Sequence, residues 1–241
     1  MSEASHPTTR ILDNYIDDKT RMLAVVMFLP LIDGLFPVLV LSGALDTVTG
    51  IIEVGLLVFG GSATVTVIVA EMDASRKIQS LAVLAVGSVL IVVSIVEAVL
   101  APTIISLLDT AVFERFAAIV ILTVAARTAS ARVAQILPGP GTIVGLGLVA
   151  SLDLSDVALT IQTRPEIMWK ALAASSVGVG FALFVALIGP WLRRNLDLEA
   201  FRFGSAVALG VLPLTLFGVL PANTPLSLAV LGVTVVFSFD P

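Results

Sequence analysis

The stretch IQSLAVLAVGSVLIVVSIVEAVLA, Ile78–Ala101, decides the fold. It holds one charge, Glu97, and no proline, and it exceeds the about 20 residues that an α-helix needs to cross roughly 30 Å of hydrocarbon at 1.5 Å per residue. Working outward, seven more apolar stretches are candidate spans, the last two of them short: Met22–Ala44, Gly50–Ala70, Phe113–Ser130, Gly141–Ile161, Met168–Leu192, Phe203–Leu220 and Leu226–Phe239. The expected fold is all-α, a polytopic transmembrane helix bundle of about eight spans, with seven as the alternative. A short polar tail, residues 1–21, precedes a single integral membrane domain, residues 22–241.

Composition points the same way. The chain is 58% hydrophobic and 13% charged, where soluble domains carry about 25% charge, and its mean hydropathy is +1.09. The net charge of −5 leaves no basic footprint for nucleic acid. With no cysteine, disulfides, zinc ribbons, iron–sulfur clusters and thiol nucleophiles are excluded; His6, the one histidine, lies in the polar tail. No cofactor is expected. A P-loop or Rossmann motif is absent as well, so ATP-driven pumping would need another subunit.

Orientation follows from the basic residues. In the eight-span arrangement with the N-terminus inside, cytoplasmic segments hold Arg10, Lys19, Arg21, Arg76, Lys77, Arg127, Arg132, Arg193, Arg194 and Arg202, and outer segments hold Arg115, Arg164 and Lys170. Ten against three matches the positive-inside rule and puts both termini in the cytoplasm. Trp169 and Trp191, 22 residues apart, stand about 33 Å apart along a helix and mark the two interfaces of the sixth span. The first run is too long for a signal-peptide core and carries Asp33, so it reads as a retained span. Two places resist a regular helix: Pro138-Gly-Pro-Gly141, and Pro221-Ala-Asn-Thr-Pro225, which makes the last two stretches either two spans or a span and a re-entrant hairpin. The expected location is the cell membrane, with the bilayer as the main partner.

An ionisable residue at the bilayer centre costs roughly 2.5–3.5 kcal/mol, so acids inside apolar stretches are the informative positions. Four stand out: Asp33, Glu53, Glu97 and Asp153. Asp33 sits in Pro30-Leu-Ile-Asp33-Gly34-Leu-Phe-Pro37. Pro37 lacks the N–H that would bond the Asp33 carbonyl, Pro30 frees another, and Gly34 removes bulk, so the first helix is expected to kink or break at the midplane. Glu53 and Glu97 lie at matching depth in the outer half, with Pro102 expected to close the third span. If they converge with Asp33, three carboxylates in a low-dielectric cavity would bind protons or a hard cation, and the identity of any metal stays open. Asp153 and Asp156 share a face of the fifth helix, above Gly145 and Gly147. The small and hydroxylated residues Gly60-Gly-Ser62-Ala-Thr64-Val-Thr66, Ser175-Ser176-Val-Gly-Val-Gly180 and Gly204-Ser205 through Gly210 read as helix-packing faces, with a polar pathway as the alternative. Arg127 reads as a snorkelling anchor.

Several of these segments carry a resemblance. Pro30–Pro37, Glu53–Ser62, Val112-Phe-Glu-Arg-Phe116, Gly145–Asp153 and Phe201–Gly210 resemble an uncharacterised family of multi-pass membrane proteins from halophilic archaea, to which the ten Arg against three Lys also conform. That resemblance implies a membrane location and no activity. Asp33-Gly34…Pro37 and Gly139-Pro-Gly141 are more faintly similar to MarC-type and LysE-type transporters. Those carry proline where Gly34 stands and have six spans.

The functional expectation is a small secondary transporter or ion-coupled exporter, with Asp33 as the central proton or cation site and Glu53, Glu97 and Asp153 supporting it. The alternative is a non-transporting membrane scaffold or assembly protein, whose acids are buried hydrogen-bonding posts. An intramembrane aspartyl enzyme pairing Asp33 with Asp153 ranks last, because Gly145 and Gly147 stand too far before Asp153 for the Gly-x-Gly-Asp pattern. Catalytic residues are therefore not expected, and a homo-oligomer is compatible with the packing faces.

Overall fold

The computed structural model describes residues 18–32, 34–41, 43–60, 65–66, 68–69, 72, 74–153, 165–216, 219–220 and 225–239. Among the described residues the regular elements are all helical: α1 (Asp18–Ile32), α2 (Leu35–Leu41), α3 (Val48–Val54) running into a π-helical segment (Gly55–Gly60), α4 (Arg76–Ile105), α5 (Thr110–Ala129), α6 (Ala131–Ile136), α7 (Pro140–Ser151), α8 (Pro165–Asn195), α9 (Leu198–Leu216) and α10 (Leu226–Phe237).

The expected break in the first apolar stretch is present, though its mechanics differ. Gly34 has φ +72° and its N–H donates to the Leu31 carbonyl at 3.0 Å, the left-handed stop that ends many helices. A second helix starts one residue later, which puts Pro37 in a first turn where its missing N–H has no intrahelical partner to lose. The break is thus made by glycine, and Pro37 lies in the first turn of the next helix. Asp33 lies outside the described residues.

Two helix ends correct the sequence reading. Pro102 does not close α4, which runs on to Ile105. The fifth apolar stretch, by contrast, ends early: α7 stops at Ser151, so Asp153 lies beyond the helix, and residues 154–164 are outside the description. A backbone pairing produces that stop. The Asp109 N–H donates to the Ser151 carbonyl at 2.6 Å and the Asp153 N–H donates to the Leu107 carbonyl at 2.9 Å, tying the end of α7 to the turn before α5.

Helix packing is antiparallel and close. In α4 and α8 the first turns of one meet the end of the other, because Arg76 to Leu84 share a groove with Leu187 while Gly87 lies against Val179. A Cβ on Gly87 would stand 2.5 Å from a Val179 methyl, and one on Gly55 would stand 2.6 Å from the Ala174 carbonyl, so α8 is approached from two sides at distances only glycine permits. In the same way α5 and α7 run antiparallel, with Phe116 over Gly147 and Leu108 beside Leu152. The pair α9 and α10 does likewise, with Gly204 against Thr234 and Leu196 beside Phe239.

The burial pattern is the reverse of a water-soluble helix pair. On α8 the buried stripe is mostly small, Ala171, Ala174, Ser175, Ala182 and Ala186 with Val179, Val185 and Leu192, while Trp169, Leu172, Phe184, Leu187 and Trp191 face outward. On α4 the outward face is Leu81, Leu84, Val89, Val92, Val96 and Leu100. A helix apolar on every side belongs in a protein core or in lipid. Burial inside the chain covers 33% of the most apolar window of α4 and 44% of that of α8. Among the described residues these two, Arg76–Thr103 and Pro165–Leu192, are long and apolar enough to cross a membrane; Val48–Phe59, Pro140–Ser151 and Leu226–Phe237 are apolar but shorter.

Candidate functional site

A cavity of about 160 Å³ adjoins the break in the first stretch. Pro30 and Leu35, on either side of the break, line it together with Val26, Leu57, Ile121 and Leu209, at the meeting of α1, α2, the π segment, α5 and α9. Its walls are aliphatic apart from Thr128, and no acid among the described residues lines it.

Glu53 sits on α3, one residue before the last residue of that helix, and is half-buried. Its carboxylate accepts a hydrogen bond from the backbone N–H of Leu228. That contact has a local cause. α10 begins at Leu226 after Pro225, which offers no side-chain acceptor, so the N–H of the third residue of the helix would lack its usual cap. Glu53 supplies the cap from another helix, and the positive end of α10 favours its negative charge. The second oxygen, Oε1, is buried and has no hydrogen-bond partner. Glu97, on α4, flanks the buried stripe formed by Leu90, Ser94 and Ala98, and its Oε2 is likewise buried and unpartnered. α4 packs against both halves of the broken first stretch, α1 and α2.

Asp153 is exposed at the end of α7. Among the described residues no group of three His, Cys, Asp or Glu side chains is placed to hold a metal ion. Asp156 and the Thr64 position lie outside the described residues.

The hydroxyls tell against a continuous polar pathway through α8. Ser175 is buried and donates to the Ala171 carbonyl at 2.7 Å, and Ser176 faces outward. Ser94, Thr123, Ser151 and Thr234 also donate to carbonyls of their own helices, which satisfies them without a partner from outside. Thr66, Ser80 and Ser205 are the exceptions, each with a buried, unpartnered oxygen.

Other polar contacts join separate segments of the chain, apart from the i,i+4 pair of Lys170 with Glu166. Lys170 pairs with Asp46 and with Glu166, both at 2.8 Å, and so fastens the turn before α3 to the start of α8. Arg127 donates to the carbonyls of Ala134 at 2.6 Å and Leu137 at 2.8 Å; it caps the end of α6. Ten residues separate Arg127 from Leu137, and a periodicity cannot reveal such a contact. A larger cavity, about 340 Å³, lies between α8, α9 and α10 and is walled by Phe181, Phe184, Trp191, Phe201 and Phe239.

Residues 90–217, more than half of the chain, match the model of a family of unknown function, DUF5794. No curated protein and no solved structure matches the chain.

Proposed function

The chain belongs to the DUF5794 family, whose description carries no activity, and from its own geometry we propose a multi-pass membrane protein that works as a small secondary transporter coupled to protons or hard cations. The carrying observation is the buried, unpartnered carboxylate oxygen on each of Glu53 and Glu97, the latter in the helix that packs against both halves of the broken first stretch. A carboxylate oxygen without a donor in an apolar bundle is stabilised by a proton or a cation, and exchanging one for another is the elementary act of a coupled carrier. In this reading Asp33, Glu53 and Glu97 carry the coupling ion, Pro30, Gly34 and Pro37 shape the break beside it, and Asp153 stands at the surface.

The membrane reading rests on the outward apolar faces of α4 and α8 and on how helix ends meet. One set of ends gathers Asp46 with Lys170, Glu53 with Leu228 and Leu108 with Leu152; the other gathers Leu196 with Phe239 and the Arg127 cap. Lys19, Arg21, Arg76, Lys77, Arg132, Arg194 and Arg202 belong to the second set, against Arg115 and Lys170 in the first. This alternation supports eight crossings with both termini on the basic, cytoplasmic side.

A second reading, a membrane scaffold without transport, is favoured by the Glu53 to Leu228 contact, in which the acid holds a helix end, and by the self-satisfied hydroxyls. Proteoliposome flux decides between them. Asp33→Asn and Glu97→Gln are expected to abolish proton- or cation-coupled flux in a folded protein; flux equal to the parent in both variants refutes the carrier reading. The chain has no cysteine, so Asp46→Cys and Arg132→Cys report topology without background. Labelling of both from the same side would refute the alternation.

A further inference from the structure

We propose that the groove between the first turns of α4 and the end of α8 is a binding site for an anionic membrane lipid, its phosphate held by Arg76, Lys77 and Ser80 and its hydrocarbon chain lying on Leu81, Leu84 and Leu187. The site rests on the membrane reading above and is independent of transport. The groove has a volume of about 330 Å³, and those six residues line it.

Three observations fit one ligand. Arg76 and Lys77 are exposed neighbours in the first turn of α4, which holds no acid, and no ion pair with either is formed among the described residues. Two cations are thus set at the positive end of a 30-residue helix, where the free N–H groups already favour an anion and disfavour more positive charge. An anionic headgroup relieves that repulsion. The second observation is Ser80. The other serines of α4, Ser88 and Ser94, donate to the carbonyls of Ala85 and Ile91, both at 2.9 Å, whereas the Ser80 hydroxyl is buried and has no partner. It leaves a donor at the edge of the cationic pair, and a phosphate oxygen is the acceptor that such a cluster selects.

The third observation is the floor. Leu81, Leu84 and Leu187 are exposed by 58%, 48% and 51%, and they continue the groove away from the charges, along the outward faces of α4 and α8. A soluble phosphate or an acidic peptide would meet the cations but would leave those leucines uncovered. A molecule with a phosphate at one end and an alkyl chain at the other covers both, and at the basic end of the bundle that molecule is a lipid of the adjoining leaflet.

The test uses the full chain in neutral detergent, titrated with phosphatidylglycerol or phosphatidylcholine and read by native mass spectrometry. The parent is expected to retain phosphatidylglycerol more tightly than phosphatidylcholine. R76Q/K77Q is expected to weaken phosphatidylglycerol binding about 25-fold, from about 1 kcal/mol for each basic residue beside an anionic surface. S80A, which leaves both cations and the floor in place, is expected to weaken it about 10-fold, as loss of a hydrogen bond to a charged group does. R194Q, at the same end of the bundle, is the control and keeps parental affinity. The proposal is overturned if R76Q/K77Q binds as the parent does, if the two lipids weaken together, if R194Q loses as much, or if inorganic phosphate at equal concentration displaces the lipid. Release of the chain from membranes by alkaline wash would instead refute the membrane reading, and this site with it; a failure confined to the lipid titration leaves that reading standing.

Discussion

Gly87→Ala probes a close helix approach, the packing of α4 on α8. The new methyl would meet the Val179 methyls at 2.5 and 2.7 Å and the Val179 Cβ at 3.2 Å. Carbon atoms rest at about 3.5–4.0 Å, so the helices must part by about 1 Å or Val179 must leave its rotamer. Overpacking of this kind costs about 1–3 kcal/mol, against about 1 kcal/mol returned by replacing glycine in a helix interior, for a net destabilisation of about 0–2 kcal/mol. Gly180→Ala is the internal control. It sits next to Val179 on α8, and a Cβ there meets nothing within 4 Å, so it returns the propensity gain alone, about 1 kcal/mol of stabilisation. The assay is reversible unfolding in mixed micelles by denaturing detergent, followed by circular dichroism and by Trp169 and Trp191 fluorescence. The two variants should differ by about 1–3 kcal/mol, with opposite or clearly separated shifts, and Val179→Ala should remove most of the Gly87→Ala penalty in a double-mutant cycle. Equal shifts for Gly87→Ala and Gly180→Ala would refute the close approach of α4 and α8.

Three further outcomes follow from named contacts. Glu53→Ala removes the cap on α10 and should cost about 1 kcal/mol, with faster amide exchange at Leu228; Glu53→Gln keeps an acceptor oxygen and should protect that amide. Arg127→Met frees the Ala134 and Leu137 carbonyls at the end of α6 and should destabilise the protein by about 1–2 kcal/mol, with protease cleavage appearing between α5 and α7. Lys170→Met should cost at most about 1 kcal/mol, because Asp46 and Glu166 are each 69% exposed and surface pairs are screened, and its effect should vanish in high salt.

Helix existence was legible wherever an apolar run was long. The quoted stretch begins two residues inside α4, and Met168–Leu192 falls wholly within α8. The break near Asp33 was legible from Pro30, Gly34 and Pro37, although the division of labour between glycine and proline depended on where the second helix starts. The end of the fifth stretch was not legible. Residues 152–161 mix apolar side chains with Asp153, Ser155, Asp156 and Thr160 and so do not mark one stopping point; it is the turn at Leu107–Asp109 that takes the backbone partners at Ser151 and Asp153. Of the candidate site, Glu53 and Glu97 could be chosen as acids in apolar runs, but nothing local shows that one caps a helix and that the other keeps an oxygen unpartnered.

What the sequence by itself determined is that the chain is helical and which of its segments are apolar. Those are sums of transfer free energies over neighbouring residues, and a window of about 20 residues contains all the terms. Only the tertiary structure decided which polar groups meet: Glu53 with the Leu228 amide, Lys170 with Asp46, Arg127 with the Ala134 and Leu137 carbonyls. Each such meeting depends on two segments of the chain approaching within a few ångströms, and that approach is set by glycine and alanine contacts between surfaces, a property of pairs of segments that neither segment carries alone.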